Sequence, residues 1–481
     1  MTGGGADMWD GARPLEVRLY APVRLGFRLD LGAYLSALAD PESLESRITG
    51  IEAALAAAFP AFTWLGPEPL VAETSTIGHD LGRAPSKRPA FFLSSRWREL
   101  ELLNDVTAEE RAALALGPLR LRFTIQDFGV AMVEIRGSFL GSPAIDVPLA
   151  YATGVTALTR ACTDWLASYC ARMAGRLEEV FTEDGLFHRP AFGAGALGQA
   201  ADTTTPVVYW MHALTVLEAS GRPLLDEDWR STFREAGEFP LRGHPIDSII
   251  RLRAGGLVSL PTRDMDVALV VGWGCSFAVI EARRSAMPLD EAVPTDFVLH
   301  LSQAFNAALF DLNRAVLSET ARLVSQGPEA KQDLRRLIET LDLFQEEVSL
   351  LTSLLSEQRF CLPAVEQRVW DMTLEVWGTE RLVADLGAAL GVLRTAIDRR
   401  QREREERRAK RITGAVTVIT ISSAAALLYD MIPNMLEAEN PSRVVLVIQM
   451  AILAGFGAMA WTLVRDATRA RKARRAVRGQ A

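Results

Sequence analysis

Leu15, Val17 and Leu19 alternate with polar positions, and the same period of two returns at Leu119, Leu121, Phe123 and Ile125. Successive side chains on a strand point to opposite faces, so this alternation predicts strands with one face buried. The run 130–135 follows closely enough to pair with the second strand as a hairpin. A further hairpin is predicted where 267–271 and 277–280 flank Gly272, Trp273 and Gly274. Helical periodicity occupies 44–59 and 158–181 between these strands. Residues 1–290 therefore read as an α+β, or α/β-like, domain. The stretches 67–87 and 193–206 are rich in turn-forming and small residues and read as surface loops.

Near Thr295 the period changes for good. Val298, Leu301, Phe305, Leu309, Leu312 and Val316 mark one face of a helix ending near Gly327 and Pro328. Leu334, Leu337, Leu341, Phe344, Val348, Leu351 and Leu355 mark a second, with a break around Cys361 and Pro363. A third starts near Ala364 and meets no proline before Pro433. Its Leu386, Leu390, Leu393 and Ile397 are spaced as a coiled-coil seam requires. Gly378, Gly387 and Gly391 each weaken such a helix by about 1 kcal/mol in isolation, so packing has to support it. Residues 291–411 thus read as a stalk of three long helices.

Two apolar stretches close the chain, 412–432, most strongly apolar up to Tyr429, and 444–464. At about 1.5 Å per residue, 412–429 reaches roughly 27 Å and 444–464 roughly 31 Å, against a hydrocarbon core of about 30 Å. They predict a two-helix transmembrane hairpin over 412–464, followed by a basic tail over 465–481. Ala451, Gly455 and Ala458 give the second helix a small-residue face suited to close helix packing.

Charge orients the hairpin. The 481 residues carry a net charge of −8, but from Arg394 onward there are 17 Lys/Arg and 8 Asp/Glu, so the preceding body is strongly acidic. Basic residues precede the first span (Arg399, Arg400, Arg402, Arg404, Arg407, Arg408, Lys410, Arg411) and follow the second (Arg465, Arg469, Arg471, Lys472, Arg474, Arg475, Arg478). The positive-inside rule places both ends in the cytoplasm, making a multi-pass protein of the inner (plasma) membrane with only the loop 432–443 outside. An acidic body argues against nucleic acid as a partner, and the basic ends fit the lipid bilayer. Residues 1–14 lack the pattern of a secretory signal.

Residue chemistry upstream offers no catalytic constellation, so no enzyme activity and no cofactor are expected. Cys162, Cys170, Cys275 and Cys361 have no paired spacing and read as small core residues in a reducing compartment. His79, His188, His212, His244 and His300 lack metal-ligand spacing. The glycines of 193–198 match a dinucleotide fingerprint by spacing, but no strand leads into them, and a flexible loop is the better reading. The mixed-charge run 398–411 reads as a solvated helix face.

The order of a mixed α/β domain, long helices, a helix continuing into the first span, a short outer loop, a second span and a basic tail resembles the CorA-type magnesium transporters. That family carries Tyr-Gly-Met-Asn at the outer end of its first span. Here Tyr429 and Met431 match, while Asp430 stands in place of the glycine and Ile432 in place of the asparagine; Asn434 follows Pro433. The resemblance implies a homopentamer with the first spans lining a pore, Mg²⁺ or another divalent cation as transported ion or gating ligand, and gating by the cytosolic domain. It covers the helical third well and the first 290 residues only in general style.

Thr413, Thr417, Thr420, Ala424, Leu427 and Met431 follow one helix face, with Ser423 beside it. Five copies would build hydroxyl rings, an apolar constriction at Leu427 and an acidic ring at Asp430, with Glu437 and Glu439 adding negative potential outside. Two readings of this stripe stay open. Its hydroxyls line a pore, or they bond the helix backbone and glue helices together; Asp430, near the interface, reads first as an ordinary interfacial acid and second as a ring at the mouth. Two functions follow: a passive divalent-cation channel with a divergent selectivity mouth, or a membrane-anchored sensor or effector on a CorA-like scaffold that answers a nucleotide or protein signal.

Overall fold

The computed structural model describes residues 12–25, 28–29, 41–65, 92–126, 128–141, 148–183, 187–188, 207–219, 258–262, 265–272, 274–281, 296–325, 334–362 and 364–437, with scattered positions between 450 and 461. Two compact units run Met1–Arg394 and Thr395–Ala481.

In the first unit the strands are β1 (Ala12–Arg24), β2 (Arg28–Leu29), β3 (Trp64–Leu65), β4 (Phe92–Ser95), β5 (Arg98–Glu99), β6 (Arg120–Gln126) and β7 (Val130–Ser138). After them come β8 (Phe187–His188), β9 (Val207–Val208), β10 (His212–Ala219), β11 (Val258–Thr262), β12 (Met265–Val271) and β13 (Cys275–Glu281). The helices are α1 (Pro41–Ala58), α2 (Glu101–Val106), α3 (Ala108–Ala113), α4 (Pro148–Glu183), α5 (Asp296–Ser325), α6 (Leu334–Cys361), α7 (Ala364–Val376) and α8 (Thr379–Glu437), the last passing the boundary between units.

One sheet organises the first unit, in the order β11-β12-β13-β10-β1-β7-β6-β4-β3, with β5 beside β6 and β9 beside β1. Both expected hairpins are present as antiparallel pairs, β6 with β7 and β12 with β13. The long strand β1 runs down the middle, antiparallel to β7 and β10, while β10 and β13 are parallel. On one face, Val17, Leu19, Ala21 and Val23 of β1 pack with Phe123, Val133, Ile135 and Phe277 against Ile51 and Leu55 of α1 and Leu158, Cys162 and Leu166 of α4. Tyr151 donates to or accepts from Thr215 at 2.6 Å within this layer. Cys162, Cys170 and Cys275 are buried and form no disulfide among the described residues; burial pushes the Cys170 and Cys275 thiols up to about 12. Cys361 has no described side chain.

The opposite face is covered by α5, which packs over β1 and β7, with α6 and α7 behind it. Val298, Leu301, Phe305, Leu309, Leu312 and Val316 are all buried, as their spacing predicts. What they bury against differs from expectation. The first of the supposed stalk helices is the second layer of the sheet domain, so the first unit extends to Arg394 and not to 290. An apolar stripe shows that a helix face is covered but not whether a helix or a sheet covers it.

The supposed third stalk helix is two. Gly378 adopts φ +64° between α7 and α8, its N–H donating to the Glu375 carbonyl at 3.0 Å. A left-handed residue of this kind ends a helix, and glycine adopts it without the clash a Cβ would cause. Trp377, just before the break, donates from Nε1 to the Gly272 carbonyl at 3.0 Å, and its ring meets His212 edge-on. The junction is therefore pinned to the sheet. Leu386, Leu390, Leu393 and Ile397 are buried.

Candidate functional site

Helix α8 carries the residues singled out for transport. Its segment Arg399–Arg411 is charged and largely exposed, with i,i+4 pairs Arg399–Glu403 and Lys410–Glu406 at 3.4 and 3.5 Å, as a solvated helix face should be. Directly afterwards, large apolar side chains stand exposed on every side of the helix: Ile412, Val416, Val418, Ile419, Ile421 and Leu427. Thr413 and Ser423 are exposed, and Thr417, Thr420 and Ala424 half-buried. Thr417 donates its hydroxyl hydrogen to the Thr413 carbonyl and Thr420 to the Val416 carbonyl, both at 2.8 Å. These are the bonds to the carbonyl four residues back that let a polar side chain sit on an otherwise apolar helix.

Tyr429, Asp430, Met431, Asn434 and Glu437 belong to α8, but their side chains lie outside the described residues, as do Glu439 and most of 444–464. Ile432 and Pro433 are likewise helical in backbone, so α8 passes through the proline before ending at Glu437. Within 450–461, Met450, Ile452 and Trp461 are exposed apolar residues. Among the described residues no helix is long and apolar enough to cross a membrane. No group of three or more potential metal ligands occurs among the described residues.

A second polar constellation, not singled out from the sequence, lies under α5. Strand register sets two rows across the sheet. His212, Tyr20, Glu134 and Arg122 stand in one, on β10, β1, β7 and β6; Leu214, Arg18, Arg136 and Arg120 stand in the next. The side chain of Glu16, two residues before Arg18 on β1, accepts from Arg18 Nε at 2.8 Å. Glu134 accepts from Arg136 Nε and from Arg122 Nη2, both at 2.6 Å. Glu16, Arg18, Glu134 and Arg136 are all buried. Burial pushes the Glu134 carboxyl up, but the guanidiniums of Arg122 and Arg136 outweigh it and hold it below the usual carboxylate range.

His300 of α5 is buried close to this cluster, stacked on Tyr20 at 6.5 Å between ring centroids. Burial takes its imidazole down to about 4; Glu134 opposes that shift, and Arg122 and Arg136 reinforce it. It is neutral at pH 7. At the sheet's outer end, Arg136, Arg122 and Arg120 gather over the Trp97 ring with guanidinium carbons 4.4, 4.8 and 5.9 Å from its centroid. Such pairs are worth about 0.5–1 kcal/mol where exposed and more when desolvated. The alternating polar positions Glu16, Arg18, Glu134 and Arg136 read as a solvent face in the sequence. The only signal against that was the apolar stripe of α5, which begins 160 residues after Arg136 and 278 after Arg18.

No protein-family model matches the chain, and no curated protein matches it.

Proposed function

We propose that the chain is a membrane-embedded homo-oligomer of CorA-like layout that passes divalent cations passively through a bundle of its α8 helices. The observation that carries this reading is the change along α8 at Ile412, where a charged, exposed helix becomes one with exposed apolar side chains all round. In water that surface would drive association or aggregation; in a lipid core it is solvated by acyl chains.

The hydroxyl stripe supports a cation path on chemical grounds. A threonine hydroxyl has one hydrogen to donate and two lone pairs to offer. Thr417 and Thr420 spend their hydrogens on the helix backbone, so what each presents outward is acceptor oxygen. Rings of acceptors suit a partly dehydrated cation. Leu427 would constrict the path, and Asp430 would concentrate cations at its outer end.

Purified protein in liposomes is expected to pass Mg²⁺, Co²⁺ or Ni²⁺ down a gradient, and Asp430→Ala to change the flux at least severalfold. An intact oligomer that passes none of these ions rules the proposal out.

A second reading is favoured by the mouth itself. Asp430 and Ile432 replace the glycine and asparagine of the Tyr-Gly-Met-Asn motif, which removes the small residue and the amide that the resemblance assigns to cation selection. On this reading the same membrane part serves a sensor or effector, and the sheet domain receives the signal, a nucleotide or a protein partner. Absence of cation flux, together with a soluble ligand that stabilises the full-length protein in detergent, selects it.

A further inference from the structure

We infer that the outer end of the arginine row, where Arg120 and Arg122 of β6 meet Trp97 and Arg136, is a binding site for a small phosphate-class oxyanion. The site is distinct from any ion path in α8, and the inference stands whether or not the protein conducts.

The charge arrangement makes the case. Arg18, Arg136 and Arg120 occupy one row on neighbouring strands, where like charges directly opposite each other are destabilising. Glu16 is committed to Arg18, and the two oxygens of Glu134 are shared between Arg136 and Arg122. Along the row toward β5, the register partner of Arg120 is Glu99, an exposed residue at the rim. Among the described residues, four guanidiniums therefore face two buried carboxylates and one solvated one. Arg122 Nε is buried and has no hydrogen-bond partner among the described residues.

Access follows a gradient across the site. The side chain of Arg136 is 5% exposed and that of Arg122 29%, Trp97 is half-buried, and Arg120 is open to solvent. The inner guanidinium is held in place by Glu134, and the outer two border water. Planar guanidinium forks match the oxygens of phosphate groups in bidentate fashion, and a site partly out of water strengthens each such bond. Trp97 keeps three mutually repelling cations together through its π face, so the positive field exists before any ligand arrives.

Size follows from the surroundings. The chain has a net charge of −8, with its excess of acid upstream of Arg394, so an extended polyanion such as nucleic acid meets repulsion beyond the site. A small anion needs only the arginine cluster itself.

The test is calorimetric titration of the detergent-solubilised full-length protein with inorganic pyrophosphate. Saturable binding is expected. Arg120→Gln should weaken it at least tenfold, Trp97→Leu severalfold with partial rescue in Trp97→Phe, and Glu99→Gln should tighten it severalfold, because removing the rim carboxylate removes competition. All four variants change side chains at the open end, and an unfolding temperature matching wild type confirms that each is folded. Absence of saturable binding, or equal affinity in wild type, Arg120→Gln and Glu99→Gln, overturns the inference. A parallel titration with phosphatidylcholine vesicles containing phosphatidic acid identifies the source. If the lipid displaces pyrophosphate, the site takes a phospholipid headgroup; if it does not, the site takes a soluble anion.

Discussion

In the first unit Glu16, Arg18, Glu134 and Arg136 are at most 5% exposed, whereas in the second Ile412, Val418 and Ile419 are each 64% exposed. One region hides charge and the other displays hydrocarbon. Each inversion of the usual pattern implies a different compensation. Buried charges require partners, and the paired glutamates and arginines supply them at 2.6–2.8 Å. Exposed apolar side chains require a non-aqueous solvent or a partner surface, and among them the hydroxyls of Thr417 and Thr420 are bonded back to the helix. The sheet unit thus pairs its buried charges within the chain, whereas Ile412, Val418 and Ile419 of α8 stay exposed.

Removing the shared carboxylate strikes the first half of this contrast hardest. Glu134→Ala leaves Arg136 and Arg122 without their common acceptor and is expected to cost about 3–5 kcal/mol of folding stability, read as a lowered denaturant midpoint of the sheet unit within the full-length protein. A change below about 1 kcal/mol would mean that the cluster is solvated and the contrast is lost.

Acid should act through the same cluster. His300 has its pKa taken from 6.5 down to about 4 by burial, so between those values the unfolded chain binds a proton that the folded chain refuses. Stability therefore falls as pH drops from 6.5 to 4, by roughly 3 kcal/mol if His300 acts alone. Glu134, whose folded pKa is also depressed, adds a further loss at the acid end as pH falls below the usual carboxylate range. His300→Gln should flatten the 6.5-to-4 limb while leaving the more acid one. An unchanged limb would place the titration elsewhere.

For the second half, Ile419→Arg puts a charge into the exposed apolar stretch of α8. If lipid surrounds it, the change opposes insertion by about 3 kcal/mol near the bilayer centre, and the protein should shift from the alkali-resistant membrane fraction to the soluble or degraded pool. Retention at wild-type level would show that another protein surface, and not lipid, covers this part of α8.

The smallest effect separates two glycines nine residues apart. Nothing lies within 4 Å of a Cβ built on Gly378 or on Gly387, yet Gly378 has φ +64° and Gly387 is helical. Gly378→Ala should destabilise the first unit by about 1 kcal/mol, whereas Gly387→Ala should stabilise it by about 0.5–1 kcal/mol. Opposite signs at sites with equal room would isolate the backbone as the cause.

Particular residues show how far the sequence could be read. The β6–β7 and β12–β13 hairpins, and the buried faces of α5 and α6, were legible because each is a local repeat of period two or 3.6. The break at Gly378 was legible only as a weak point, since a glycine inside a periodic stretch fits a tolerated helical residue as well as a C-cap. The stripe Thr413, Thr417, Thr420 was legible as one helix face, but its use of the hydroxyl hydrogens on the helix backbone depends on side-chain rotamers that spacing does not encode. The Trp97 cluster was not legible, since β6, β7 and the link between β4 and β5 bring its members together from separated stretches of chain.

Sequence alone determined which residues share a face: alternation puts Arg18 with Glu16 and Tyr20, and Arg136 with Glu134, whatever the partners are. It also determined that a charged helix gives way to an apolar one at Ile412, because that change is written in consecutive residues. Tertiary structure decided which faces meet water. The polar side of β1 and β7 is interior because α5, far along the chain, covers it, and burial is a property of the covering element as much as of the residue covered.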